Sequence, residues 1–223
     1  MPPATTGHLL PMKTKDRILQ TSLALFNDEG EPNVSTVDIA SELDMSPGNL
    51  YYHFKGKEPI IQSLYSAYEV EMRDVLSAPI RKPLRIDDNW IFLYIIFEEI
   101  YDFRFFYYNL AELLSRYETL APKFTKLLAA MKKTMRAIYE HLRREDVIAI
   151  SDAELALLAE RSTMLFTLWP TWSRLSEPGV SVPEAIHNGV YTIFSQTTPY
   201  LTAGRNEFQD LLSSFHSHMM SKT

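Results

Sequence analysis

An all-α fold is what this sequence predicts, and three observations predict it. Hydrophobic residues make up 46% of the 223, which is enough to build a full core. Only 7 residues are glycine. Apolar residues recur at helical spacing, and few runs alternate apolar with polar as a half-buried strand would. The length accommodates one large domain, or one small and one larger.

The elements follow in order. Residues 1–12 lack the basic-then-apolar order of a signal peptide and read as a disordered leader. A first helix is expected over about 13–27, with Ile18, Ser22, Leu25 and Phe26 on one face. Gly30, Pro32 and Asn33 break it. Ser35 or Thr36 then caps a second helix, with Asp38 in its first turn and Ile39, Ala40 and Leu43 as its buried stripe. The segment Asp44-Met45-Ser46 allows only a tight turn. Ser46 is a good N-cap and Pro47 suits the first helical position, so a third short helix is expected over about 47–54. Lys55-Gly56 stops it, and a fourth helix runs from near Lys57 toward Leu76. Pro79 and Pro83 mark a joint. Longer helices are expected beyond it, over about 86–103, 105–117, 120–145, 152–175 (interrupted by Pro170), 182–201 and 206–219.

The second and third helices describe a helix-turn-helix. In that motif the second helix enters the major groove and presents its N-terminal residues to base edges. Leu50 and Phe54, four apart, point inward; Gly48, Asn49, Tyr51, Tyr52 and His53 are left outside or at the edge. Asn pairs with the adenine edge, and an aromatic ring can touch a thymine methyl. Gly48 lets backbone approach closely. His53, Lys55 and Lys57 are expected to meet phosphates, and Thr36 to donate to another. The net charge of -6 gives no general basic footprint, so DNA affinity has to come from where charge is placed.

At these residues the chain resembles a known family. Thr36-Val37-Asp38-Ile39-Ala40, followed by Met45-Ser46-Pro47-Gly48-Asn49-Leu50-Tyr51-Tyr52-His53-Phe54-Lys55-Gly56-Lys57-Glu58, closely resembles the N-terminal domain of the TetR family of bacterial regulators. The likeness covers about residues 13–64. The family pattern usually has Gly in the turn where this chain has Asp44; Asp tolerates the left-handed conformation better than most residues. The resemblance implies DNA contacts at positions 49, 51, 52, 53 and 57. It also implies a dimer that binds a double-stranded operator, and a C-terminal domain that takes a small-molecule effector. Dimerisation would run through the last two long helices, here about 152–175 and 182–201. The expected division is a leader over 1–12, a helix-turn-helix domain over 13–58, and a helical ligand-binding and dimerisation domain over 59–223.

The C-terminal part is rich in aromatic residues between Trp90 and Tyr108. Two readings stand: plain core, or a roomy pocket for a small hydrophobic or aromatic effector. The residues expected to line such a pocket are Phe97, Glu98, Tyr101, Tyr108, Asn109, Met131, Met135, Phe166, Trp169 and Trp172, with Met164 as a further adaptable wall. Glu98 and Glu99 sit in an apolar helix, where at least one is expected to face solvent or pair with Arg104; buried among aromatics, a Glu would suit a cationic ligand. If the aromatic stretch is core alone, the alternative is a DNA-bound adaptor whose C-terminal domain binds a protein.

Catalysis is not expected. The six His are scattered, and neither a Gly-rich phosphate loop nor a nucleophile elbow is present. No cofactor or metal is expected. Cysteine is absent, so no disulfide or thiolate site can form. The longest apolar run, 90–97, ends at Glu98 and Glu99, well short of the ~20 residues that span a bilayer. A cytoplasmic protein without membrane contact is the expectation.

Overall fold

The computed structural model describes residues 13–82 and 86–202. They fall into two compact units, one up to Leu64 and one from Tyr65.

The first unit begins with α1 (Thr14–Glu29), which buries Ile18, Ser22 and Phe26 at helical spacing. Gly30 ends it at φ +87°, a conformation that favours glycine, and its N–H donates to the Phe26 carbonyl. A 3-10 turn, Glu31–Asn33, leads into α2 (Thr36–Glu42). A capping box starts α2: the Ser35 hydroxyl accepts from the Asp38 N–H at 3.2 Å, and the Asp38 carboxylate accepts from the Ser35 N–H at 2.8 Å. The hydroxyl and then the backbone of Ser35 hold the Asp38 carboxyl below the usual carboxylate range. Asp44 takes the turn at φ +51°, as its place in the motif requires. Then comes α3 (Pro47–His53), with Ser46 at its N-cap.

Helix α4 (Lys57–Arg81) contains the division between the units and runs past the expected end near Leu76, with Pro79 inside its last turns. The second unit continues with α5 (Ile86–Asp102), α6 (Phe105–Tyr108), α7 (Leu110–Arg116), α8 (Ala121–Arg144), α9 (Asp152–Ser176) and α10 (Val182–Ser195), and ends in a 3-10 turn at Thr198–Tyr200. No strand occurs among the described residues. Helix α8 packs along α9, and α10 lies against α5 and α9. Capping boxes start α9 at Ser151 and Glu154, and α10 at Ser181 and Glu184.

Hydrogen bonds between helices satisfy several of the polar side chains that this packing buries. Tyr139 bonds Ser162 at 2.7 Å, Tyr101 bonds Ser173 at 2.9 Å, and Trp169 Nε1 donates to the Ala185 carbonyl at 2.7 Å. Gly189 makes the closest approach: a Cβ there would stand 2.6 Å from Phe97 Cζ and 2.8 Å from Trp169 Nε1. No described helix is long and apolar enough to cross a membrane.

Three further expected elements differ. The segment 105–117 is two helices, because Asn109 leaves the helical region at φ −132° and ψ 39°. Phe105, Phe106 and Tyr107 are all buried, and three consecutive residues cannot share one face of a continuing helix. Asn109 is therefore a break between helices, not a mid-helix residue. Pro170, in turn, does not interrupt α9. It removes one backbone donor, but the helix is held on both sides by buried Phe166, Trp169 and Ser173. The expected helix over 182–201 ends at Ser195. The expected helix over 206–219 lies outside the described residues.

Candidate functional site

The segment around α3 is assembled by few interactions. Ser46 sets the start of α3 by accepting a hydrogen bond from the Asn49 N–H at 3.2 Å. Pro47 follows at the first helical position, where no N–H is needed. Leu50 and Phe54 face inward, at 1% and 7% exposure. That anchors one side of a seven-residue helix and turns the other side out. Gly48, Asn49, Tyr51 and Tyr52 are all exposed, Tyr52 at 77%. An aromatic ring left this open contributes little to the core and is accessible to a partner.

Local contacts order the exposed groups. Lys55 Nζ stands 4.5 Å from the centre of the Tyr51 ring, within cation–π range. Tyr52 and His53 meet edge to face at 5.3 Å. Lys55 is exposed, while His53 and Thr36 are half-buried, Thr36 in the first turn of α2. Val37 beside it is an exposed apolar residue absent from the expected set. Its signal was its position two residues before buried Ile39, on the opposite side of the helix from it.

Lys57 stands apart. Its ammonium bonds the Glu31 carboxylate at 2.8 Å, the Glu31 carbonyl at 2.7 Å and the Val34 carbonyl at 2.9 Å. An ammonium has three hydrogens, and three acceptors meet them here. Glu31 is itself buried, at 4% exposure. Sequence reading missed Glu31 because the pairing is across the fold.

In the second unit the residues expected to line an effector pocket do not gather around one opening. Phe97, Phe166 and Trp169 are buried, with Phe97 and Phe166 rings 5.2 Å apart and Phe97 and Trp169 closing on Gly189. Tyr101 is buried and tied to Ser173. Tyr108 is half-buried under the Arg174 guanidinium at 4.8 Å. Met131 is buried in α8. Glu98 and Asn109 are exposed. Met135 alone of the set lines the narrow apolar cavity of about 40 Å³ whose walls include Leu93, Leu142, Ile193 and Phe194.

Trp172 and Met164 point outward. With Leu157, Leu168 and Leu175 they form an exposed apolar stripe along α9, at spacings that keep all five on one side of the helix. Glu99 is half-buried, and its carboxyl is pushed up to about 7 by burial first, then by the nearby carboxylates Glu71, Asp102 and Glu98.

Comparison with known proteins agrees with this geometry. The family model described as bacterial regulatory proteins of the tetR family matches residues 18–64. A second TetR model, described as bacterial transcriptional repressor, matches residues 67–208. A crystal structure of a TetR-family transcriptional regulator from Marinobacter aquaeolei VT8 is similar over 92% of this chain and 99% of that one, at 29% identity and a TM-score of 0.83. Among curated proteins, the probable HTH-type transcriptional regulator YttP of Bacillus subtilis (strain 168) is 32% identical over 59 residues, which are 26% of this chain and 28% of that protein. The HTH-type transcriptional repressor KstR2 of Mycolicibacterium smegmatis is 29% identical over 80 residues, 32% of this chain and 38% of that protein. The chain thus spans well under half the length of these two curated relatives. The family models between them match most of the sequence, one on the reading segment and one on the helical unit that follows it. The chain belongs to the TetR family of bacterial transcriptional regulators.

Proposed function

We propose that the protein is a dimeric cytoplasmic repressor that grips a two-fold symmetric operator and lets go when a small apolar effector binds its C-terminal unit. The observation that carries the DNA side is the outward set Asn49, Tyr51 and Tyr52 on a helix whose other side is fixed by Leu50 and Phe54. We assign base contacts to Asn49, Tyr51 and Tyr52, with Gly48 allowing close approach. Phosphate contacts go to Thr36, Ser46, His53 and Lys55. Repression is supported by the names of relatives such as KstR2 and the negative regulator IcaR of Staphylococcus aureus.

The dimer reading rests on the apolar stripe of α9, which a second copy would cover, with α10 beside it. Two heads would then meet successive major grooves ~34–36 Å apart. An effector acts by binding more tightly to a conformer with the wrong head spacing, and a preference of several kcal/mol empties the operator. Helix α4, which extends from the first unit into the second, is the lever we assign to this change.

A second reading is favoured by one observation. Phe97, Phe166, Trp169 and Gly189 fill one another's space as core, which suits an adaptor whose C-terminal unit binds a protein instead of a small molecule.

The test is selection of bound DNA from a random-sequence pool, followed by footprinting of the selected site. A two-fold symmetric site protected by wild type and lost in Tyr52→Ala, with the dimer intact, supports the reading. Normal protection by Tyr52→Ala sinks it. Mass spectrometry of the native protein then separates the two C-terminal readings: a retained small apolar molecule favours the first, a retained protein the second.

A further inference from the structure

We propose that Lys57 is a positioning residue, a clasp that closes the helix-turn-helix, and that its charge is not available to DNA phosphate. This rests on α2 and α3 being the DNA-binding pair.

The geometry is closed at every hydrogen. The Lys57 ammonium meets a buried carboxylate and two backbone carbonyls, all on the turn that leads into α2. Those carbonyls, Glu31 and Val34, lie 26 and 23 residues before Lys57. The stretch between them holds Ser35 with its capping box, all of α2, the turn at Asp44, and all of α3. One side chain therefore ties the entrance of the motif to its exit.

Each partner is suited to this and poorly suited to release. Glu31 is 4% exposed, and a carboxylate that deep cannot lose its counter-charge without a large desolvation cost. The Phe26 ring stands 5.9 Å from Lys57 Nζ and shields that side. For Lys57 to reach a phosphate it would have to withdraw its charge from buried Glu31 and give up its bonds to both carbonyls. Lys55, two residues earlier and exposed, bears no such debt and is the better phosphate partner. The clasp places Thr36 and the start of α2 relative to the residues that follow α3, which is what a reader must hold constant to match a groove.

The experiment uses the full-length protein and the DNA selected from the random pool, with affinity measured at several salt concentrations. Three variants are compared: Lys57→Met, Glu31→Gln, and the two combined. Lys57→Met takes the lysine counter-charge from buried Glu31 and cuts both carbonyl ties, so affinity should fall ten-fold or more. The double variant removes the uncompensated buried charge but also lacks the ties to both carbonyls, so it should recover only part of that loss. The slope of log affinity against log salt should stay at the wild-type value in the double variant.

A phosphate-binding Lys57 gives the opposite results. The double variant would then recover nothing over Lys57→Met, and its slope would drop by about one unit. Glu31→Gln would free the lysine and raise affinity. Any of these three results overturns the proposal, as does a Lys57→Met protein that binds like wild type. If Lys57→Met fails to fold, the double variant and Glu31→Gln still decide the matter through recovery and slope. Failure of the wild-type protein to select any DNA would instead overturn the reading of α2 and α3, a separate result.

Discussion

Replacing Glu99 by Gln should stabilise the C-terminal unit near neutral pH and remove much of its dependence on pH. The Glu99 carboxyl is pushed from 4.5 to about 7, chiefly by burial and then by Glu71, Asp102 and Glu98. The folded chain therefore keeps a proton that the unfolded chain releases. Between pH 4.5 and 7 the folded state binds more protons, so stability falls as pH rises through this window and levels off above it. The slope cannot exceed about 1.4 kcal/mol per pH unit, and the whole window amounts to at most about 3 kcal/mol. Solvent reaches part of this carboxyl, so about 1–2 kcal/mol is the expected size. The assay is urea denaturation at pH 5, 6, 7 and 8, followed by tryptophan fluorescence. All three tryptophans, Trp90, Trp169 and Trp172, lie beyond Leu64, so the signal reports the C-terminal unit by itself. Glu99→Gln should match wild type most nearly at pH 5 and exceed it by the full margin at pH 8. A variant that is less stable than wild type at pH 8, or a wild type whose stability rises from pH 5 to 7 while the variant's does the same, would refute the account of Glu99.

Three further outcomes follow from the packing. Gly189→Ala puts a methyl group within 2.6 Å of Phe97 and 2.8 Å of Trp169 and should destabilise the C-terminal unit by about 1–3 kcal/mol in the same denaturation assay. Leu168→Asp places a charge in the middle of the α9 stripe and should convert a dimer to a monomer in sedimentation velocity, leaving helix content by circular dichroism unchanged. Ser46→Ala removes the acceptor for the Asn49 N–H and should cost the first unit about 1 kcal/mol, read by amide hydrogen exchange in α3.

The reading head was legible in the sequence because its determinants are local. A cap, a proline, a left-handed Asp and two inward residues four apart each act over a few positions, and each is found in place. What escaped was long-range. Lys57 looks like a free cation until Glu31 is brought to it by the fold. Local rules also misjudged the proline: Pro170 breaks an isolated helix, but α9 is held by its neighbours on both sides. In the aromatic stretch, periodicity established burial and nothing more. Whether rings enclose space or fill it depends on how far apart the helices stand, and Gly189 lets α10 come close enough for Phe97 and Trp169 to meet it. The outward facing of Trp172 and Met164 was not legible, because composition does not say which apolar face of a helix meets its own chain.

Helix α3 divides its labour sharply between two sides. Within it, Leu50 is the buried residue, while Asn49, Tyr51 and Tyr52 make little use of the interior. Substitutions on the outer side, which we propose meets DNA, should therefore change which DNA is read at small cost to folding. A duplicated copy of such a regulator could drift to a new operator through single steps, each of them still a folded protein. New wiring in a regulatory network needs no detour through an unstable intermediate when the side that reads is not the side that holds.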